Sequence, residues 1–135
     1  MKASNATDAE LMTLAAEQVM GWKRGSDFLQ TGGSFFKSLG SLPSSPTTPE
    51  WLEWRPLTRD HDAFALVAAV CEKRKMWFKL HSPFRPGMEW WAGFCPEGAA
   101  GWNGEMDFAA SAPDHCRAIA LACLEAFQVW ERGAQ

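Results

Sequence analysis

The chain has 135 residues, 47% of them apolar, and a formal net charge of −3. That length makes one domain, residues 1–135, able to bury a core without covalent staples. The weak negative charge does not favour binding that relies on neutralising nucleic-acid phosphates. No stretch is long and apolar enough to span a membrane, and residues 1–8 hold no apolar signal segment, so a cytoplasmic location is expected.

The first helix is predicted over residues 7–20. Thr7 and Glu10 have capping-box spacing, and Leu11, Leu14, Ala15, Val19 and Trp22 recur at helical intervals, with Gly21 as the stop. Residues 23–50 form an insert rich in Ser, Pro and Gly, in which the tract from Leu42 to Pro49 is unsuited to a helix or a central strand. Within it, residues 34–39 are read as a short strand or as a hydrophobic patch folded over the domain. A second helix follows, with Thr58 as N-cap and an end near Lys75. Asp60 and Asp62 lie in its first turn, and Ala63, Phe64, Val67, Val70 and Cys71 form its buried stripe. Three strands are predicted over residues 76–82, 89–95 and 104–110, with the turn Pro83–Gly87 between the first two. Short connections make them an antiparallel meander. The last helix has Ser111 as N-cap and Pro113 in its first turn. Cys116, Ile119, Ala120, Cys123, Leu124, Phe127 and Trp130 are its apolar face. Lys23-Arg24 and Lys73-Arg74-Lys75 follow apolar helical patterns and suit helix C-termini.

Alternation assigns the meander two faces. Met76, Phe78, Leu80, Trp90, Ala92, Phe94, Met106 and Phe108 make one wholly apolar face, to be covered by the second and third helices. Trp77, Lys79, His81, Trp91, Gly93, Cys95, Glu105 and Asp107 make the other, in which indoles stand among charges. That second face stacks a planar or anionic ligand, anchors a partner protein, or is closed by the first helix or the Phe35-Phe36 segment.

No catalytic constellation is legible. The serines have no neighbouring His. Cys95 and His81 would be a nucleophile pair only in a favourable register, and no third orienting group accompanies them. No metal site is expected. Asp60, His61 and Asp62 are read as a solvated helix turn, and His115 and Cys116, adjacent on a helix start, as diverging side chains. Gly32-Gly33-Ser34 lacks the Lys and the strand-to-helix setting of a phosphate loop. No Cys-x-x-Cys pair occurs among the four cysteines, which are expected to be buried reduced thiols. No cofactor is predicted, and the chain is not expected to be an enzyme.

Three segments carry a resemblance to a known family. They are Ala15-Ala16-Glu17-Gln18-Val19-Met20-Gly21-Trp22, then Trp54-Arg55-Pro56-Leu57-Thr58-Arg59-Asp60-His61-Asp62-Ala63, then residues 109–122 with Pro113, Cys116 and Ala118. With the strands between them, the chain resembles the phage ABA-sandwich domain family over roughly residues 7–130. The insert is a departure from it. The resemblance implies a small phage or prophage protein in a bacterial host, with a sheet packed between helices, and brings no catalytic residues.

The expected fold is therefore α+β. An antiparallel three- to four-stranded sheet packs between helices as an α-β-α sandwich, in the order α-(β)-α-β-β-β-α. The expected function is that of a non-enzymatic accessory binding protein that interferes with a host process or defence system by contact with a host protein. The contact surface expected is Phe35 and Phe36 with Trp51 and Trp54. Two alternatives remain. One is a sponge for a small anionic ligand, a nucleotide signal, using Trp77, Lys79, His81, Arg85 and Trp91. The other is a structural homodimer.

Overall fold

The computed structural model describes residues 7–42, 45–96 and 108–133, with side chains described over 7–38, 51–96 and 108–127. Thr7 opens α1 (Asp8–Leu14) with the expected capping box. Its hydroxyl accepts the Glu10 N–H at 3.2 Å, and the Glu10 carboxylate accepts the Thr7 N–H at 3.3 Å. From Ala15 to Val19 the helix widens into a π-helical turn, in which the Met20 N–H bonds the Ala15 carbonyl at 3.0 Å. The single α-helix expected through residue 20 is thus two helical geometries in succession. The wider turn brings Ala15, Ala16 and Val19 together into the core. Gly21, at φ +75°, ends the run in the left-handed region, and the Trp22 N–H returns to the Ala16 carbonyl at 2.9 Å. The terminal carbonyls of Val19 and Met20 accept from Lys73 Nζ at 2.9 and 3.0 Å, so this cation caps a helix other than its own.

The insert is a sheet. Strands β1 (Phe28–Thr31), β2 (Ser34–Leu42) and β3 (Ser45–Glu53) pair antiparallel in the order β1-β2-β3. Gly32-Gly33, read from sequence only as a failed phosphate loop, is the two-residue turn between Thr31 and its partner Ser34, with Gly32 at φ +62°. The proline tract does not stop the chain from extending. Pro46 and Pro49 lie in β3, an edge strand that pairs on one side only and whose register with β2 is irregular around Ser41, the setting in which a sheet tolerates proline. Phe28 and Phe35 stack at 6.5 Å between ring centres and 15° between planes, both in the core.

Trp54 follows β3 and is buried edge-on against Trp22, with ring centres 5.0 Å apart. Its N–H bonds the Phe35 carbonyl at 2.8 Å, which joins the first sheet to the chain leading into α2 (Asp60–Arg74). Thr58 is not the cap of this helix. The N–H groups of Thr58 and Arg59 both close on the Arg55 carbonyl, at 3.2 and 2.8 Å, so Thr58 belongs to a turn. Arg59 takes the N-cap position without a side-chain bond. Nor is the first helical turn wholly solvated. Asp62 is buried, accepts the Arg55 N–H at 2.8 Å and lies 4.0 Å from Lys37 Nζ of β2. Turning Asp62 inward places Ala63, Leu66, Val67 and Val70 in the core. Phe64 is left exposed and Cys71 half-buried, contrary to the expected stripe. The helix ends on Lys75 in the left-handed conformation, φ 54°, with Lys73 and Arg74 in its last turn.

Strands β4 (Met76–His81), β5 (Trp90–Pro96) and β6 (Phe108–Ala112) form a second antiparallel sheet in the order β4-β5-β6. Residues 104–107, where the third strand was expected to begin, lie outside the described residues, as do the side chains of Glu105, Met106 and Asp107. The described strand runs on to Ala112 and includes Ser111. Ser111 is therefore not a helix cap. Asp114 caps α3 (His115–Gly133), its carboxylate accepting the Arg117 N–H at 2.8 Å. The register aligns Phe78 with Phe94 and Phe94 with Phe108, and aligns His81 with Trp91 and Trp91 with Ser111, so the two faces are those expected from alternation. Phe64 of α2 meets Phe78 edge-on at 6.3 Å, and α3 lies along β5 and β6 on the same face. The α+β reading holds: an antiparallel sheet packs its apolar face on helices. Behind α2 and α3, the first helical segment and Phe28, Phe35 and Trp54 continue a single core.

Candidate functional site

The β4–β5 connection builds a concavity. Pro83 and Pro86 stiffen it, Gly87 turns at φ +86°, and the Met88 N–H closes on the Arg85 carbonyl at 3.2 Å. The turn stands beside the mixed face of the second sheet and encloses an open groove of about 580 Å³. Lys79, His81, Phe84, Met88, Glu89 and Trp91 line it, with Ser82, Gly87 and Ser111. His81 and Trp91 are cross-strand partners whose rings meet edge-on at 5.2 Å and 84°. Phe84 is 71% exposed, and the Arg85 guanidinium lies over its ring at 5.3 Å.

Lys79, His81 and Trp91 are thus brought together as expected. Arg85 stands next to the groove through Phe84 without lining it. Trp77 lies further along the same face, opposite Cys95, and is exposed. The first helix does not close this end of the face, and the Phe35 ring points into the core. The other expected surface does not form as drawn. Phe35 and Trp54 are core residues with 1% of their surface exposed, which leaves only the half-buried Phe36 and Trp51 near the surface. Phe36 and Trp51 also do not pair with each other, since Phe36 stands opposite Glu53 and Trp51 opposite Ser38. Phe84, Met88 and Glu89 were not anticipated as site residues. The signal for them was present in a phenylalanine flanked by prolines in a turn, where no core position exists to receive it.

A second cluster joins the starts of α2 and α3. His115 Nε2 lies 2.5 Å from Asp60 Oδ1, and Cys116 Sγ approaches the same oxygen at 3.6 Å. The His115 and Cys116 side chains therefore converge on a third residue instead of diverging. Consecutive positions on a helix point about 100° apart, and Asp60 sits across the interhelix gap within reach of both. Trp90 packs against the His115 ring at 5.1 Å. The hydrogen bond with His115 holds the Asp60 carboxyl below its usual range. Burial, then the bond to Asp60, pushes the Cys116 thiol up to about 11. A thiol held protonated is the reverse of an activated nucleophile. Cys95 and His81 make no such pair either, because the register sets Cys95 against Trp77 at the far end of β4 from His81.

Among the described residues no helix is long and apolar enough to cross a membrane. In comparisons with known proteins, no family model matches this chain, and neither does any curated protein or solved structure.

Proposed function

We propose that this chain is a non-enzymatic binding protein that seats a small planar ligand with a single negative charge, a cyclic nucleotide monophosphate being the type, in the groove beside Trp91. The observation that carries this reading is the convergence of Lys79, His81 and Trp91 on one open concavity. Its volume of about 580 Å³ falls within the range of small-molecule sites, roughly 300–1,000 Å³. Trp91 and Phe84 offer ring faces for stacking, and Lys79 supplies a cation. Glu89 on the same lining opposes that cation, which favours one negative charge over a triphosphate. Thermal shift and calorimetry with cyclic and linear nucleotides test it. A ligand of the native state must raise apparent stability, and Trp91→Ala should abolish the rise. No stabilisation by any of them at excess ligand removes this reading.

A second reading is supported by the exposed apolar side chains of Phe84, Met88 and Trp77. In it, the same face docks on a host protein, as expected of a phage or prophage accessory protein in the host cytoplasm that interferes with a host process. The family resemblance supports that setting. Light scattering separates it from self-association. A host partner retained equally by the wild type and by Phe84→Asp would rule this surface out.

A further inference from the structure

We propose that Asp60, His115 and Cys116 form a binding site for a divalent transition metal of the zinc class, bridging the N-termini of α2 and α3. A carboxylate oxygen, an imidazole nitrogen and a sulfur, one from each residue, all lie within 4.8 Å of one another. In a tetrahedral zinc site with bonds of about 2.0–2.3 Å, ligand atoms stand about 3.3–3.8 Å apart. The Sγ–Oδ1 separation of 3.6 Å already matches that spacing, and the Nε2–Oδ1 pair at 2.5 Å needs to open by about 0.9 Å. Asp60 can provide that movement, because its side chain is 67% exposed. The buried Cys116 and the His115 ring, packed on Trp90, form the fixed part of the cradle.

The donor set selects the class of ion. Sulfur and imidazole favour zinc and its neighbours, whereas magnesium and calcium demand oxygen ligands. Charge also balances. A helix N-terminus repels a bare cation but favours anions, and here carboxylate and thiolate supply two negative charges against the two positive charges of the ion. On binding, Cys116 gives its proton to solvent and His115 keeps one proton on Nδ1, so Nε2 and Sγ are both free to ligate. The three residues leave a fourth tetrahedral position on the exposed Asp60 side for water.

The test is titration of the metal-stripped full chain with Zn2+ alone, followed by calorimetry, and with Co2+, followed by absorption. The expected result is one Zn2+ per chain and a sulfur-to-cobalt charge-transfer band. Cys116→Ala should lose the band. His115→Ala and the exposed-site variant Asp60→Asn each remove a ligand and should weaken Zn2+ binding by at least about 100-fold, more than the roughly 10–100-fold that changes outside the ligand shell produce. Circular dichroism of Asp60→Asn, whose side chain is not part of the core, separates loss of the site from loss of the fold. Absence of a charge-transfer band in the wild type overturns the proposal, as does Zn2+ affinity unchanged in both Asp60→Asn and Cys116→Ala.

Discussion

Asp62 and Cys116 show how single side chains override pattern. Asp62 lies in the first turn of α2, where a carboxylate is expected to face water and the positive end of the helix. It turns inward instead, because the Arg55 N–H needs an acceptor at a point where the chain has left the first sheet and has not yet entered the helix. Asp62→Ala strands that donor and leaves Lys37 without its nearest carboxylate. Chemical denaturation should then show a loss of about 1–3 kcal/mol. The ionisable groups of the interhelix cluster set a pH window. Asp60 has its folded pKa lowered, so the contribution of its bond with His115 is present above the ordinary carboxylate value of 3.8 and is lost as pH falls through the folded value. Cys116 has its pKa raised. Its contribution is complete below the ordinary thiol value of 9.0 and is lost as pH rises from there to about 11, since the unfolded chain ionises first. Melting temperature measured from pH 8 upward should therefore fall less steeply in Cys116→Ala than in the wild type.

The three strands of the insert depart furthest from what the chain pattern suggested. Local chemistry offered a short strand or a hydrophobic patch at Phe35, missed the Gly32-Gly33 turn, and set the Ser- and Pro-rich run through Pro46 and Pro49 against a helix or a central strand. Proline is kept out of strands with two neighbours, and β3 has one. Nothing along the chain says which strand will stand at an edge. The sheet also contributes to the core rather than decorating it, through Phe28, Phe35 and the Trp54 that follows. Trp54→Ala removes a buried indole, its edge contact with Trp22 and the packing under the Phe35 carbonyl. Denaturation should report a loss of about 3–5 kcal/mol, as for other large aromatic truncations. A change below about 1 kcal/mol would mean that the insert is not part of the cooperative unit. The second sheet, by contrast, was largely legible. Strict alternation over Met76–His81 and Trp90–Pro96 assigns every side chain to a face, and the observed register preserves that assignment.

Taken together, the two sheets and three α-helices share one core, and the described tryptophans differ widely in exposure. Trp54 is sealed, Trp90 and Trp91 are half-buried, and Trp77 is exposed. Fluorescence quenching by a neutral quencher should accordingly fall markedly in Trp77→Phe and change little in Trp54→Phe. The reverse order would contradict the open face on which the groove depends.

Chain pattern was sufficient for the α+β class, the capping box at Thr7, the Gly21 stop and the two faces of the meander, because each follows from bonds or alternation among residues close in sequence. The inward turn of Asp62, the burial of Phe35 and Trp54, the groove at Phe84 and Met88 and the meeting of Asp60 with His115 and Cys116 required the packed fold. Each of these depends on which surfaces come to lie against one another across large sequence separations. Periodicity tells which side of an element is apolar, but not which distant backbone group will need an acceptor or which helix start will face another.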